Sequence, residues 1–286
     1  QEFAQKLNVH DIEFIPVSAL LGDNVVNRSE KMSWYTGAPL LQFLENVTIS
    51  ADRNLVDFRF PVQYVVRPHQ DFRGFSGQVL SGTISVGEEI VVLPSMQRSK
   101  VASIVKYTEQ LEEADEGDSV IITLEDEVDV SRGDMIVRRH NIPEVESEFE
   151  AVLAWMDDRH TLSTSTNYVL QHTTHRTQAV VDKILYQLDV NTLHRHKADA
   201  LSLNEIGRIK LTTARPLYFD PYDRNRHTGG FILIDPSDFR TVGAGMIRHS
   251  SRATIGEIKR EERSKRLEVP TSTDITWDPG LVGPQD

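Results

Sequence analysis

The side chains that could do chemistry are scattered, and most lack the companions their chemistry needs. His172 with His175, and His194 with His196, are the metal candidates. Alternate residues of a strand share a face, so His194 and His196 could hold one ion. The chain has no cysteine, so it offers no thiolate for a structural zinc site, no disulfide and no thiol nucleophile. No H-E-x-x-H pattern occurs either, and no metal site is expected. Ser163, Thr164, Ser165 and Thr166 form a hydroxyl cluster with no G-x-S-x-G elbow, which reads as a solvated loop. Among so many acids, spacing alone singles out no acid–base pair. Asp220, Tyr222, Arg224, Asn225 and Arg226 crowd one loop ahead of Gly229-Gly230. That loop is either a long connection held by its own hydrogen bonds or a contact surface carried by a rigid scaffold. No G-x-x-x-x-G-K-[ST] phosphate loop is present. No catalytic residue is assigned.

The scaffold for these groups reads as β. From Arg67 to Ser95, Gly77, Gly82 and Gly87 punctuate short alternating runs, as bulges and corners of a small closed barrel do. Ile90 to Leu93 is continuously apolar and ends at Pro94, which predicts a strand buried on both faces. Val56 to Val66 alternates, with Phe58, Phe60, Val62, Tyr64 and Val66 predicted inward and Asp57, Arg59 and Gln63 outward. Pro61 is expected at an edge or a bulge. Further strands are expected at 77–84, 89–93, 101–107, 119–124 and 135–138. Arg132-Gly133-Asp134 reads as a tight turn. After Pro143 a second β-rich unit follows, with strands expected near 149–155, 168–172, 179–185, 207–212, 231–234 and 242–247. The fold class is therefore mainly β, two antiparallel barrels.

Composition narrows the class. The net charge is -12, so any phosphate-binding surface must be a local basic patch working against that field. No apolar run reaches the ~20 residues of a membrane helix, and residue 1 does not open a signal peptide. A cytoplasmic location, with no membrane or nucleic-acid partner, is the expectation. Residues 12–17 give a strand signal, followed by Ser18, Ala19 and Leu20. Trp34, Tyr35 and Gly37, with Leu40, Leu41, Phe43 and Leu44, suit an amphipathic helix. Past Arg252 the chain is charged, then rich in Pro, Gly, Ser and Thr, and reads as a linker.

Asp71-Phe72-Arg73-Gly74 ahead of the barrel glycines, Asn191-Thr192-Leu193, Leu203 to Gly207, Asn225-Arg226 with Thr228 to Asp235, and Ala244 to Ile247 together carry a resemblance. The chain resembles the GTPase subunit of bacterial sulfate adenylyltransferase, a translation-type GTPase, from about Ile15 to Arg252. The resemblance implies the end of an α/β GTPase domain at 1–50 and barrels like the second and third domains of elongation factor Tu at 51–142 and 143–252. It also implies a linker at 253–286, leading in some members to an adenylylsulfate kinase domain. It makes Ser18, Ala19 and Leu20 the remnant of a guanine-binding turn. Asp71 to Gly74, although it matches the Asp-x-x-Gly switch pattern, lies after that turn and inside the barrel signature, and reads as a barrel loop. GTP and Mg²⁺ are implied for the full-length protein, with no tight binding by this piece. The implied partner is the catalytic small subunit, which makes adenosine 5′-phosphosulfate from ATP and sulfate. Arg73 and Tyr222 are the expected partner contacts. The alternative is a fragment of an elongation factor that binds aminoacyl-tRNA.

Overall fold

The computed structural model describes residues 12–47, 54–69, 72–164 and 166–250. The chain divides into Gln1–Arg53 and Asn54–Asp286.

In the first unit a single 3₁₀ turn, Glu30–Met32, is capped by Ser29, whose side chain accepts from the Lys31 N–H. Helix α1 spans Leu40–Asn46. Buried Asn24 ties the turn together: its Nδ2 donates to the Pro16 carbonyl at 2.9 Å and its Oδ1 accepts from the Ser29 N–H at 2.8 Å. The expected strand at 12–17 is not formed, and the region has only an isolated bridge between Ser18 and Asp23. A strand needs a neighbour to take its ladder bonds, and the described residues of this unit supply none. Trp34 to Gly37 precede α1 rather than join it, and Trp34, Leu41 and Leu44 are exposed.

The second unit holds two closed antiparallel barrels; strand accounts for 49% of the structure and helix for 6%. The mainly β expectation holds. The first barrel uses β1 (Arg59–Val66), β2 (Gly74–Gln78), β3 (Thr83–Ser85), β4 (Glu89–Leu93), β5 (Gln97–Lys106), β6 (Glu109–Leu111), β7 (Glu113–Asp115), β8 (Ser119–Leu124) and β9 (Met135–Arg138). Its ring runs β4-β9-β1-β2-β8-β5 and closes from β5 to β4, with β6 added to β5 and β3 paired to β7. Phe58, Phe60, Val62, Phe75, Ile90, Val92, Ile104 and Ile122 fill it. The second uses β10 (Glu144–Trp155), β11 (Asn167–His172), β12 (His175–Leu188), β13 (Arg195–His196), β14 (Ile206–Phe219), β15 (Gly230–Ile234) and β16 (Thr241–Ser250), with a short helix α2 (Arg226–Gly229) before β15. Here the ring is β11-β15-β16-β10-β14-β12, closed from β12 to β11, and β13 is left as an edge. In its core Phe149 meets Phe219 at a tilt and Phe231 edge to face, 5.5 and 5.8 Å between ring centroids.

Several sequence expectations are corrected. The stretch 77–84 is not one strand: β2 ends at Gln78, Gly82 turns at φ +71°, and β3 begins at Thr83. The alternation of β1 breaks at a bulge between Val62 and Tyr64, so Tyr64 is 67% exposed while Val65 packs against the core. A bulge adds a residue and reverses the facing of those that follow. Pro61 lies in a central strand, paired to Met135 on β9. The Arg59 N–H donates to Ser81 on the β2 side and the Val62 N–H to Asp134 on the β9 side, so the Pro61 nitrogen faces β2 just where that ladder begins, at Val62. It tolerates the position because no ladder bond is lost there. Most consequential, Asp57 and Arg59 are buried instead of solvated.

Gly82 follows from the same corner. A Cβ there would stand 2.6 Å from both N and Cα of Phe58, and the positive φ disfavours any other residue. Gly82→Ala is expected to lower the unfolding free energy by about 2 kcal/mol or more, read from the midpoint of urea denaturation. An unchanged midpoint would mean that the corner relaxes freely.

Candidate functional site

The Ser18–Leu20 turn is open. The Ser18 N–H donates to the Asp23 carbonyl at 3.1 Å, and the Leu21 N–H to Ser18 Oγ at 3.4 Å. Ala19 is exposed, and Leu20 is 95% exposed. Gly22, at φ +74°, lets the chain reverse.

Arg73 stands at the start of β2. Its Nη2 donates to Asp129 Oδ1 at 3.0 Å, and its guanidinium lies 5.6 Å from the centre of the Phe75 ring. It opens onto a groove of about 1120 Å³ whose lining includes Arg67, His69, Phe72, Glu125 and Glu127. Asp71 lies outside the described residues. Tyr222 is half-buried, and its N–H donates to the Ile247 carbonyl at 2.8 Å. Gly229 packs so closely on the Tyr222 backbone that a Cβ has no room.

The polar loop that carries Tyr222 is a contact surface whose contact is internal: it fastens the second barrel to the first. Arg59, fully buried, sends Nε to Asp220 Oδ2 at 2.7 Å and Nη2 to Asp220 Oδ1 at 2.8 Å. Its Nη1 donates to the Phe58 carbonyl and to both oxygens of Asn141, at 2.9, 2.8 and 2.8 Å. Thr228 Oγ1 donates to Asp220 Oδ2 at 2.9 Å. Alongside, Arg224 forks onto Asp57 at 2.9 and 2.7 Å, and Asn54 and Asn141 donate to the same carboxylate. Asn225 caps α2 through the His227 and Thr228 N–H groups and spends its Nδ2 on Ser81 across the interface. Two carboxylates and two guanidiniums thus face one another in fork geometry, with Asn54, Asn141 and Thr228 completing the bonding of Arg59 and the two carboxylates, while Arg224 stays partly exposed.

Next to this network the interface is apolar. Val91, Leu93, Met135 and Val137 pack on Tyr218 of β14. The alternating partners Ile90 and Val92 point into the barrel, which accounts for the unbroken apolar run of β4. Register explains why Arg59 is buried: it pairs with Val137, which pairs with Val91, in one cross-strand row on the covered outer face. The signal for a covered face was in β4; the pairing that places Arg59 on it was not readable without coordinates.

Of the expected metal candidates, His172 is buried and its Nε2 is 2.6 Å from the Thr228 carbonyl. A carbonyl can only accept, so Nε2 carries the proton. Nδ1 has no partner. Burial, only partly offset by that bond, pushes the His172 pKa down from 6.5 to about 4. His175 is nearly buried, 5.9 Å from the Tyr218 ring centre, and packs against Gly133 of the first barrel. His194 and His196 are exposed. No group of three or more His, Asp or Glu side chains converges among the described residues. Arg132-Gly133-Asp134 lies in a tight turn, with the Asp134 N–H donating to the Ser131 carbonyl. For Asp57, burial raises the carboxyl pKa, but the hydrogen bonds of Arg224, Asn54 and Asn141 outweigh it and bring it to about 2.

Comparison with known proteins adds the family context. Residues 148–248 match the model described as "GTP-eEF1A C-terminal domain-like". Over 259 residues, 91% of this chain and 40% of the relative, it is 52% identical to a bifunctional enzyme CysN/CysC of Rhodopirellula baltica. It is 49% identical to sulfate adenylyltransferase subunit 1 of Alteromonas mediterranea, over 86% of this chain and 52% of that one. A CysN/CysC enzyme of Mycobacterium tuberculosis is 49% identical over 98% of this chain and 47% of its own length. The chain thus spans about half the length of the curated relatives it matches. Among solved structures, Sup35 complexed with GDP superposes with a TM-score of 0.64 at 23% identity, over 82% of this chain and 58% of that one. Elongation factor SelB of Methanococcus maripaludis, in its apo form, gives 0.57 at 20% identity, over 76% and 47%. The fold is that of the barrel domains of translation GTPases.

The buried groups make stability pH-dependent. The folded pKa of His172 is below its unfolded value of 6.5, so the unfolded state takes up the proton first as pH falls. Its contribution is complete above 6.5, erodes between there and about 4, and is followed by loss from Asp57 between 3.8 and about 2. His172→Gln is expected to flatten the upper part of this acid limb in melting curves; an unaltered slope would contradict the assignment. Asp220→Ala strands Arg59 in the interior, and is expected to destabilise by about 3–5 kcal/mol in urea unfolding.

Proposed function

We propose that this chain, a relative by sequence of sulfate adenylyltransferase subunit 1 and the CysN/CysC enzymes, is the barrel-bearing part of the GTP-hydrolysing subunit of a sulfate adenylyltransferase. The observation that carries the reading is identity near one half with those proteins across most of the chain. The translation GTPases share the fold at under one quarter identity, which favours the sulfate reading over an aminoacyl-tRNA carrier. In this reading residues 1–50 close a GTPase domain, 51–142 and 143–252 are its two barrels, and 253–286 lead away from them toward a kinase domain in bifunctional forms. GTP with Mg²⁺ is held by the full-length protein, and the Ser18–Leu20 turn supplies backbone contacts to the base. The full-length protein belongs to a nucleotidyltransferase, and this piece alone is expected to be inactive. It links the nucleotide state to a separate catalytic subunit that forms adenosine 5′-phosphosulfate in the cytoplasm.

Two features support a role in contact rather than chemistry. The described residues hold no phosphate loop to supply the N–H groups and lysine that neutralise a triphosphate. Arg73 sits, part-exposed and stacked on Phe75, beside an open groove, and Arg is enriched among interface hot spots. Tyr222 is the second proposed contact, on a loop already anchored by Asp220.

Calorimetry with GTP is expected to show no tight binding to this chain; tight binding would contradict the assignment of its first residues. In a pull-down with the catalytic subunit, Arg73→Ala and Tyr222→Ala are each expected to weaken capture at least ~10-fold with little change in melting temperature. Normal capture by both variants would remove these residues from the interface, and a collapse in melting temperature would make them structural.

A further inference from the structure

The hairpin joining β12 to β13 projects from the second barrel and is built to be rigid. The Asp189 carboxylate accepts from the Asn191 and Thr192 N–H groups at 2.8 and 3.1 Å. The Asp189 N–H donates to the His194 carbonyl and the Leu193 N–H to the Asp189 carbonyl, at 3.0 and 2.8 Å. Leu193 takes φ +60° to close the turn. On its return arm stand His194, Arg195, His196 and Lys197 in succession, all exposed. Neither Arg195 nor Lys197 has a carboxylate within ion-pairing distance among the described residues. By contrast Arg208 and Lys210, on the adjoining β14, are matched by Glu150 and Glu148 at 2.8 and 3.1 Å.

Arg195 is also held in place. Its guanidinium lies 4.7 Å above the centre of the Tyr186 ring, which leaves its N–H edges free to donate. Holding a long side chain in advance lowers the entropy lost when it binds. β13 is the last strand of its sheet, so its outer edge has no partner strand among the described residues. Val190, 49% exposed, adds an apolar contact at the tip.

We propose that this hairpin is a docking surface for an extended acidic segment of a partner protein. Carboxylates suit an ordered guanidinium in the bidentate fork, and a strand edge suits an extended chain. A chain of net charge -12 that leaves two neighbouring cations unneutralised on a braced hairpin has a surface complementary to negative charge. A nucleic acid fits less well. Its affinity comes from neutralising many phosphates over a broad basic surface, whereas this one has two permanent cations and two histidines.

The test is fluorescence anisotropy on the whole chain with labelled probes: an alternating Glu-Val peptide, its Lys-Val counterpart, and a single-stranded RNA of similar length. The Glu-Val peptide is expected to bind, more tightly at low salt than at high salt. Arg195→Gln with Lys197→Gln is expected to weaken it at least ~10-fold. Because Arg195 packs on Tyr186, Lys197→Glu alone serves as a second variant that leaves that stack intact, and it must also weaken binding. An unchanged melting temperature confirms that folding is not the cause. The proposal is overturned if the Glu-Val peptide fails to bind at low salt, if both variants bind it as the native chain does, or if the RNA binds more tightly than the peptide.

Discussion

Arg59 is the group around which the second unit is arranged. A guanidinium with no exposure to water cannot shed its charge, so its N–H donors need partners or the barrels cannot close over it. The partners come from three separate stretches: the residue just before its own strand, Phe58, the inter-barrel connection at Asn141, and the loop after β14 at Asp220. That requirement is directional in a way that apolar packing is not. Val91, Leu93, Met135, Val137 and Tyr218 would tolerate some sliding of one barrel on the other. The Arg59–Asp220 fork does not, because both of its bonds depend on one relative orientation. Burying such a pair contributes little net stability, since desolvation offsets attraction; what it supplies here is a single docking geometry.

The loop at 220–228 shows how that geometry is built locally. Asp220 receives Arg59 and Thr228, so the two ends of the loop meet on one carboxylate. Asn225 then stops the chain from fraying by capping α2, and its amide reaches Ser81 of the other barrel. The same residues that fold the loop are those that cross the interface. A substitution at Asp220, Arg224 or Asn225 acts on local and inter-barrel structure together, and energies measured at these three will not add.

Much of this fold is legible from sequence because period and punctuation are local. Alternation in β10 and β12, and glycines at tight corners, announce short antiparallel strands without any knowledge of their neighbours. The family likeness was also legible, since it rests on stretches such as Asp71 to Gly74 and Leu203 to Gly207. What failed was anything set by long-range pairing. Asp57 and Arg59 look like the wet face of a strand until β9 and β4 are laid beside them and that face proves to be covered. Residues 12–17 look like a strand, yet strand character depends on a neighbour that the described unit does not offer. The bulge at Val62 to Tyr64 has no glycine to betray it.

The interface also constrains how a signal can cross this chain. Two closed barrels have few free edges, and a desolvated contact with forked ion pairs resists partial rearrangement, because each intermediate position would leave a buried charge unpaired. Movement between the barrels is therefore the costly mode, and displacement of the pair as one body is the cheap one. A contact made at the Arg73 groove on one barrel and a contact made at the β12–β13 hairpin on the other are then held at a fixed separation by Arg59 and Asp220. A partner that engages both surfaces reads the orientation of the whole body, and a small rotation of that body is a larger shift at the surface lying farther from its pivot.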